Sequence, residues 1–389
     1  MSLSRRAFVR TLGIGGASAF STAWVIGHGR EALAWGPDPV EEMLQASDDT
    51  VIIRLSGNEN ARGPGKAALD ALNGRADFKV GRYQRDISRE DLPAAIAKRL
   101  GHGAQAENIL VSTGSSHILE AGVRAYVSVG RPLVTGTPSY GNPARTTRAM
   151  GAEVREVPVD SNLRLDLDGM ADAAQGAGLV FLCNPNNPTS ASHSAETVSA
   201  FIEHVVSSSP GTGILVDEAY IDYATDPSVA SAIAESLTYP GVFLARTFSK
   251  AYGMAGLRLG YAAGQTETLD KLSRAWGLGE VSLLTASAAI ASLNDPDHME
   301  WEREQNRKVR EFTINELGQM GFESAESQTN FLFVDIGRSA AEFREACLAL
   351  GVLVGRDFPP MEKTHARISL GTMEEMQRAL EVFRQVLTN

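Results

Sequence analysis

From Asn108 onward the chain repeats one pattern: a short continuous apolar run, a polar or glycine-rich turn, then a longer stretch compatible with a helix. The instances are "NILVSTGSS", "RPLVTGTPSYGN", "GLVFLCNPNNPTS", "GILVDEAYID" and "GVFLARTFSK". Runs that are apolar at every position suit strands buried on both faces, although a buried helix segment looks alike locally. Alternation with helical stretches selects the strands, and with them a doubly wound, mainly parallel sheet of the α/β class. In such a sheet, ligands gather outside the carboxyl ends of the strands. Every polar cluster just quoted follows its strand, which brings Gly114, Ser115, Ser116, Tyr140, Asn187, Asp217, Tyr220, Ser249 and Lys250 toward one cleft. Near Asp295 the pattern changes. "NDPDHMEWEREQNRKVREFTINELGQMG" reads as a long charged helix after a break, and "TNFLFVDI", a helix near 340–350 and "HARISLG" form a smaller α+β unit.

A chain of 389 residues, 43% of them hydrophobic, is long enough for two domains. Its net charge of −11, without a long basic run, argues against a nucleic-acid partner. The N-terminus reads "SRRAFVRTLGIGGASAFSTAWVIGHGREALAW": paired arginines, a weakly apolar stretch from Thr11 to Ile26, then Ala32-Leu33-Ala34. That is the order of a signal peptide, and the "SRRAFVR" string resembles the twin-arginine signal. The apolar stretch is short and studded with Gly, Ser and Thr, so export is expected over a membrane anchor. Residues 1–34 are expected to be the signal, with the export machinery as a partner, a periplasmic destination and no stable membrane span after cleavage. They hold four arginines and one glutamate, so the remainder carries −14. Cys183 reads as a small buried residue ending "GLVFLC", and two distant cysteines define no disulfide. "GIGG" at Gly13 follows no strand, which excludes a dinucleotide fingerprint, and the seven histidines lack metal-ligand spacing, so no metal is expected.

One lysine stands alone in "RTFSKAYGMAGLRLGY", preceded by Ser249 and followed by Arg258. Lysine forms Schiff bases with aldehydes when its amine is desolvated enough to lose a proton, and Ser249 with Arg258 would hold an anion beside it. A solvated surface lysine is the alternative. Asp217 in "VDEAY" suits a carboxylate that keeps a pyridine nitrogen protonated, or an ordinary helix cap. Tyr220 would donate to a ring oxygen. Gly114-Ser115-Ser116 opens a helical stretch, where free N–H groups favour phosphate, as any capped helix also would. In "NPNNPTS" two Asn-Pro steps force a turn, which leaves the Asn187 amide to address a ligand or merely to shape a loop.

The ordered set "NPNNPT", "VDEAYID" and "RTFSKAYGMAGLRLGY" resembles the pyridoxal-phosphate-dependent aminotransferases of fold type I, class I/II, most closely the histidinol-phosphate aminotransferase group. The match runs from Leu55 to Thr372. The resemblance implies a large cofactor domain over 76–292, a small domain over 293–389 and a segment, 35–75, that joins the small domain. It implies pyridoxal 5'-phosphate as cofactor, carried by Lys250, with Asp217 at its pyridine nitrogen. Tyr220 and Asn187 would face the ring oxygen, Tyr140 would stack on the ring, and Ser115, Ser249 and Arg258 would hold the phosphate beside Gly114 and Ser116. Tyr83 in "GRYQRD" would reach the neighbouring subunit's cofactor in a homodimer. Arg367, Arg356 and Asn60 would bind substrate. The implied reaction moves an amino group from an amino acid or phosphorylated amino alcohol to a 2-oxo acid by a ping-pong mechanism. Similar threonine-phosphate decarboxylases share these motifs, so a decarboxylase or lyase is the alternative. The chain departs from the family at Ala61-Arg62, where a proline and a variable residue are common, and at Ser190, where glycine is common. Arg62 reads as an added anion contact or as a solvated surface arginine.

Overall fold

The computed structural model describes residues 52–75, 81, 83 and 86–388; the expected signal segment lies outside them. The strands are β1 (Ile53–Leu55), β2 (Ile109–Ser112), β3 (Leu133–Thr137), β4 (Val154–Pro158), β5 (Leu179–Cys183), β6 (Gly213–Asp217), β7 (Val242–Thr247), β8 (Gly260–Gly264), β9 (Phe331–Asp335), β10 (Val352–Val354) and β11 (His365–Ser369). Seven of them form one sheet in the order β2-β8-β7-β6-β5-β3-β4. Only β8 runs antiparallel to its neighbours.

The continuous apolar runs are explained by two cores. In β5, Val180 and Leu182 face one cluster while Leu179, Phe181 and Cys183 face another. β6 and β7 repeat the division, with Leu215, Phe243 and Ala245 on the second side. Helix Ser115–Tyr126 places Ile118, Leu119 and Val123 on that second face, and helix Ala195–Ser208 covers the first with Val198, Phe201, Ile202 and Val205. Each large side chain so buried contributes about 1.5–3 kcal/mol, which is why the interior strands tolerate no polar alternation. Cys183 and Cys347 are both buried and free, and the thiol of Cys183 is pushed well up by burial.

A third core gathers Ile53, Leu55, Leu332, Val334, Val352, Val354, Ile368, Leu380 and Phe383. β1 pairs parallel with β10, and β9 pairs antiparallel with β11. The expected division at 293 falls elsewhere in physical terms: helix Pro296–Gln319 inserts Met299 into the core of the large sheet and Val309 and Leu317 into this one. The segment expected to join the small domain also divides. β1 packs there, but helix Lys66–Arg75 buries Ala68 and Leu72 against the large sheet's core. Residues 56–65 therefore span between the two cores.

Ser190 explains a departure. It is fully buried with φ 62°, the left-handed region that costs a side-chain-bearing residue about 1–2 kcal/mol and glycine nothing. Its hydroxyl donates toward the Glu326 carbonyl at 3.1 Å, a bond that contributes about 1 kcal/mol. The two effects nearly offset, so Ser190→Gly is expected to melt close to wild type, while Ser190→Ala, which keeps the strain and loses the bond, melts lower by about 1 kcal/mol equivalent. Equal melting of Ser190→Ala and the wild type would show that the hydroxyl contributes nothing.

Candidate active site

The carboxyl ends of β5, β6 and β7 and the amino end of the reversed β8 meet at one edge of the sheet, above a cavity of about 380 Å³. That volume lies within the range of small-molecule sites. Ser115, Ser116, Tyr140, Asn187, Asp217, Tyr220, Ser249, Lys250, Arg258, Arg356 and Arg367 all line it. Eleven of the residues singled out in the sequence thus converge.

Asp217 ends β6 and is buried. Its Oδ1 accepts the Ala219 N–H at 3.2 Å, and no side chain among the described residues donates to it. Burial is the main reason its carboxyl is pushed up to about 7, with Glu218 adding repulsion. A buried carboxyl in this state wants a cationic or N–H partner. Lys250 follows β7, and its Nζ donates to the Gly57 carbonyl at 3.0 Å. Burial, then Arg367, pulls its amine down to about 8, with Glu59 and Asp217 pulling the other way. The amine is therefore readily deprotonated, unlike a solvated surface lysine.

Tyr220 Oη accepts an N–H from Asn58 at 3.1 Å and from Asn187 at 3.3 Å, which leaves its own O–H to donate into the cavity. Asn187 is held in turn by Arg367, whose Nη1 donates to its Oδ1 at 2.8 Å. Both Asn-Pro steps of this loop are cis. Helix Ser115–Tyr126 begins without a side-chain cap and with no acidic residue in its first turn, so its N–H groups face an anion unopposed. Arg258 sits beside that terminus, 3.4 Å from Ser249 Oγ. Gly114 is required there: its φ is 95°, and a Cβ would come within 2.4 Å of Arg258 Nη2.

Arg367 is buried, with a guanidinium 4.7 Å from the Phe358 ring and an Nε that has no partner. Desolvation lowers it to about 10. Arg356 packs its guanidinium 4.4 Å over the same ring. Four basic side chains thus face two carboxylates, Asp217 and Glu59, in one cavity.

Two sequence expectations sit differently. Asn60 does not line the cavity: its amide donates to the Ala251 carbonyl at 3.1 Å and its Oδ1 accepts the Arg62 N–H at 2.9 Å. Asn58 and Glu59 line it instead, and the signal for Asn58 was a residue type that tolerates its left-handed φ of 51°. Arg62 is neither an anion contact nor solvated, because it is paired with the buried Glu302. Tyr83 stands 90% exposed and away from the cavity of its own chain.

A family model described as aminotransferase class I and II matches residues 50–383. The chain belongs to that family. Among similar curated proteins, the histidinol-phosphate aminotransferase of Moorella thermoacetica is 32% identical over 90% of this chain and 89% of its own length. That of Symbiobacterium thermophilum is 34% identical over 90% and 94%. The solved structure of histidinol-phosphate aminotransferase from Sinorhizobium meliloti in complex with pyridoxal-5'-phosphate superposes with a TM-score of 0.81 at 27% identity, covering 94% of this chain and 99% of that one. Thermus thermophilus aspartate aminotransferase shares the fold, with a TM-score of 0.80 at 20% identity.

As a class I and II aminotransferase the protein is a fold type I enzyme that uses pyridoxal 5'-phosphate. Its residues fit that group. The Asp217 carboxyl, which no described side chain donates to, suits a pyridinium N–H, the Tyr220 O–H suits the ring oxygen, and the uncapped helix terminus with Ser249 and Arg258 suits the phosphate.

Proposed function

We propose that this aminotransferase takes an amino donor bearing a carboxylate or phosphate and passes the amino group to a 2-oxo acid in two alternating half-reactions. The carrying observation is the pair Arg367 and Arg356 in the Lys250 cavity, the first buried with an unpartnered Nε. A buried guanidinium held by Asn187 and Ser56 through its Nη atoms, with its Nε still free, keeps a charge-assisted donor for a planar or tetrahedral anion. The histidinol-phosphate aminotransferase relatives favour a phosphorylated amino alcohol among the donors.

The cofactor supplies an aldehyde that takes up the donor amine and a ring that withdraws electrons from its α-carbon. Asp217 holds positive charge at the ring nitrogen and Tyr220 donates to the ring oxygen. Asn187, fixed between Tyr220 and Arg367, ties ring recognition to substrate recognition. Lys250, its amine near 8, takes the α-proton as general base and returns it as general acid on the other side of the transfer. Tyr140 covers the ring face. Adding single donors, including histidinol phosphate and common amino acids, is expected to convert the visible band of the bound cofactor with one donor and without carbon dioxide. Carbon dioxide release would instead support the decarboxylase.

Two further readings belong here. Tyr83 is proposed to complete a partner's phosphate site in a homodimer, which sedimentation tests: a monomer with full turnover overturns it. Residues 1–34 are proposed to direct export of the folded enzyme to the periplasm. Arg5→Lys together with Arg6→Lys is expected to retain active enzyme in the cytoplasm; unchanged periplasmic activity defeats the twin-arginine reading.

A further inference from the structure

Within residues 56–63, Gly57, Asn58 and Glu59 line the active-site cavity, and Ser56, Gly57 and Asn58 are bonded to site residues. The Ser56 carbonyl accepts from Arg367, and the Gly57 carbonyl accepts from Lys250 Nζ. Asn58 donates to Tyr220 and exchanges two bonds with Ser369. Asn60 holds the Ala251 carbonyl, one residue past Lys250. Beyond it, Gly253 packs so closely on Gly63 that a Cβ would lie 2.2 Å from the Gly63 carbonyl carbon. The position of Lys250 is therefore set partly by this segment.

The segment is short of regular structure and of apolar anchors, so something else must fix it. At its start, β1 is pinned by pairing with β10. At its end, Arg62 Nε donates to Glu302 Oε2 at 2.8 Å while Nη2 reaches the other oxygen. Glu302 is 0% exposed. Burying a carboxylate this completely is tolerated only with such a bidentate partner. Glu302 opens a buried polar stripe on helix Pro296–Gln319 that continues through Asn306 and Arg310. Asn306 and Arg310 both donate to the Thr329 carbonyl, at 3.0 and 3.2 Å. The next residue, Asn330, donates its amide to the carbonyls of Asn58 and Glu59. One helix face thus grips the segment twice.

We propose that Glu302 and Arg62 are positioning residues for transamination: their buried pair latches residues 56–63 so that Gly57, Asn58 and Asn60 hold Lys250 and Tyr220 in working geometry. Neither touches cofactor or substrate. The inference rests on the reading of Lys250 as the proton-transfer amine.

The test uses holoenzyme reconstituted with pyridoxal 5'-phosphate. Glu302→Gln is expected to lower kcat about 10²-fold, the scale of an ångström-level misplacement remote from the chemistry. It is also expected to move the pH midpoint of the cofactor's visible band, while cofactor affinity stays as in wild type, because the phosphate cradle lies on other elements. Removing one partner strands the other charge, so a second variant, Arg62→Met with Glu302→Leu, removes both and keeps their bulk. It is expected to melt near wild type yet keep both the kcat loss and the shifted midpoint. Wild-type kcat and midpoint in the folded double variant overturn the latch. Full turnover by Lys250→Ala would instead overturn the reading beneath it, whatever Glu302 does.

Discussion

Lys250→Ala abolishes turnover, with kcat reduced by about 10⁴-fold, the upper end of what a positioned proton-transfer group contributes. The expectation follows from where the amine sits. It shares one cavity with the Asp217 carboxyl, and desolvation has brought it down to about 8, so a fraction is neutral near neutral pH. Lys250→Arg is expected to be as inactive as Lys250→Ala, because a guanidinium keeps its charge and cannot accept the α-proton. The same amine sets a pH dependence. The rate at which added pyridoxal 5'-phosphate joins the apoprotein, followed by visible absorbance, is expected to rise as pH increases through about 8 and then level off. The rise reflects loss of a proton from a nucleophile whose native value lies below the usual 10.5. A rate that stays flat from pH 7 to 9 in the wild type would show that the amine is not what limits attachment.

The sheet was legible because its interior strands are apolar on every residue, and β5, β6 and β7 appear where "GLVFLC", "GILVD" and "GVFLA" stand. β8 was not, since "GYAAG" is a weak strand former; antiparallel pairing with β2 on one side and β7 on the other holds it in place. Its reversal nonetheless matters to the site. An antiparallel β8 brings its amino end, with Arg258 just before it, to the edge where the parallel strands end. The cluster that lines the cavity was legible through residue type at strand ends: Asp217 ends β6, and Tyr220, Ser249 and Lys250 lie within three residues of their strands. What could not be read was the wall supplied by Gly57, Asn58 and Glu59. Its contacts are a backbone carbonyl and a left-handed asparagine, reached across 162 or more positions of sequence, as with Asn58 and Tyr220. Glu302 was hidden for a related reason. Within "HMEWEREQNRKVRE" it is one acid among several, and only the burial of Glu302, Asn306 and Arg310 at i, i+4 and i+8 distinguishes that face from the solvated one.

Asp217→Asn is expected to cut kcat by about 10²–10³-fold, comparable to removing one preorganised electrostatic contact to the reacting system. Asparagine fills the same space but cannot hold the ring nitrogen in its charged form. The same substitution has a signature in stability. In the apoprotein the buried carboxyl lies near 7 against 3.8 for the unfolded chain, so between those values the native state keeps a proton that the unfolded state releases. Its stabilising contribution is therefore fully present below about pH 4 and is lost as pH rises through about 7. A pyridinium N–H beside the carboxylate removes that penalty. The gain in Tm on adding pyridoxal 5'-phosphate is thus expected to widen between pH 5 and pH 7.5 by about a few degrees, and the widening is expected to shrink in Asp217→Asn to what Lys250 alone contributes. Glu218 does not mimic the effect, because it is already engaged by Arg246, Ser231 and the Ala232 N–H and does not line the cavity, whereas Lys250, near 8, adds its own rise mainly above pH 7. A variant that binds cofactor, turns over at the wild-type rate and keeps the pH-dependent gain would remove Asp217 from the ring-nitrogen role.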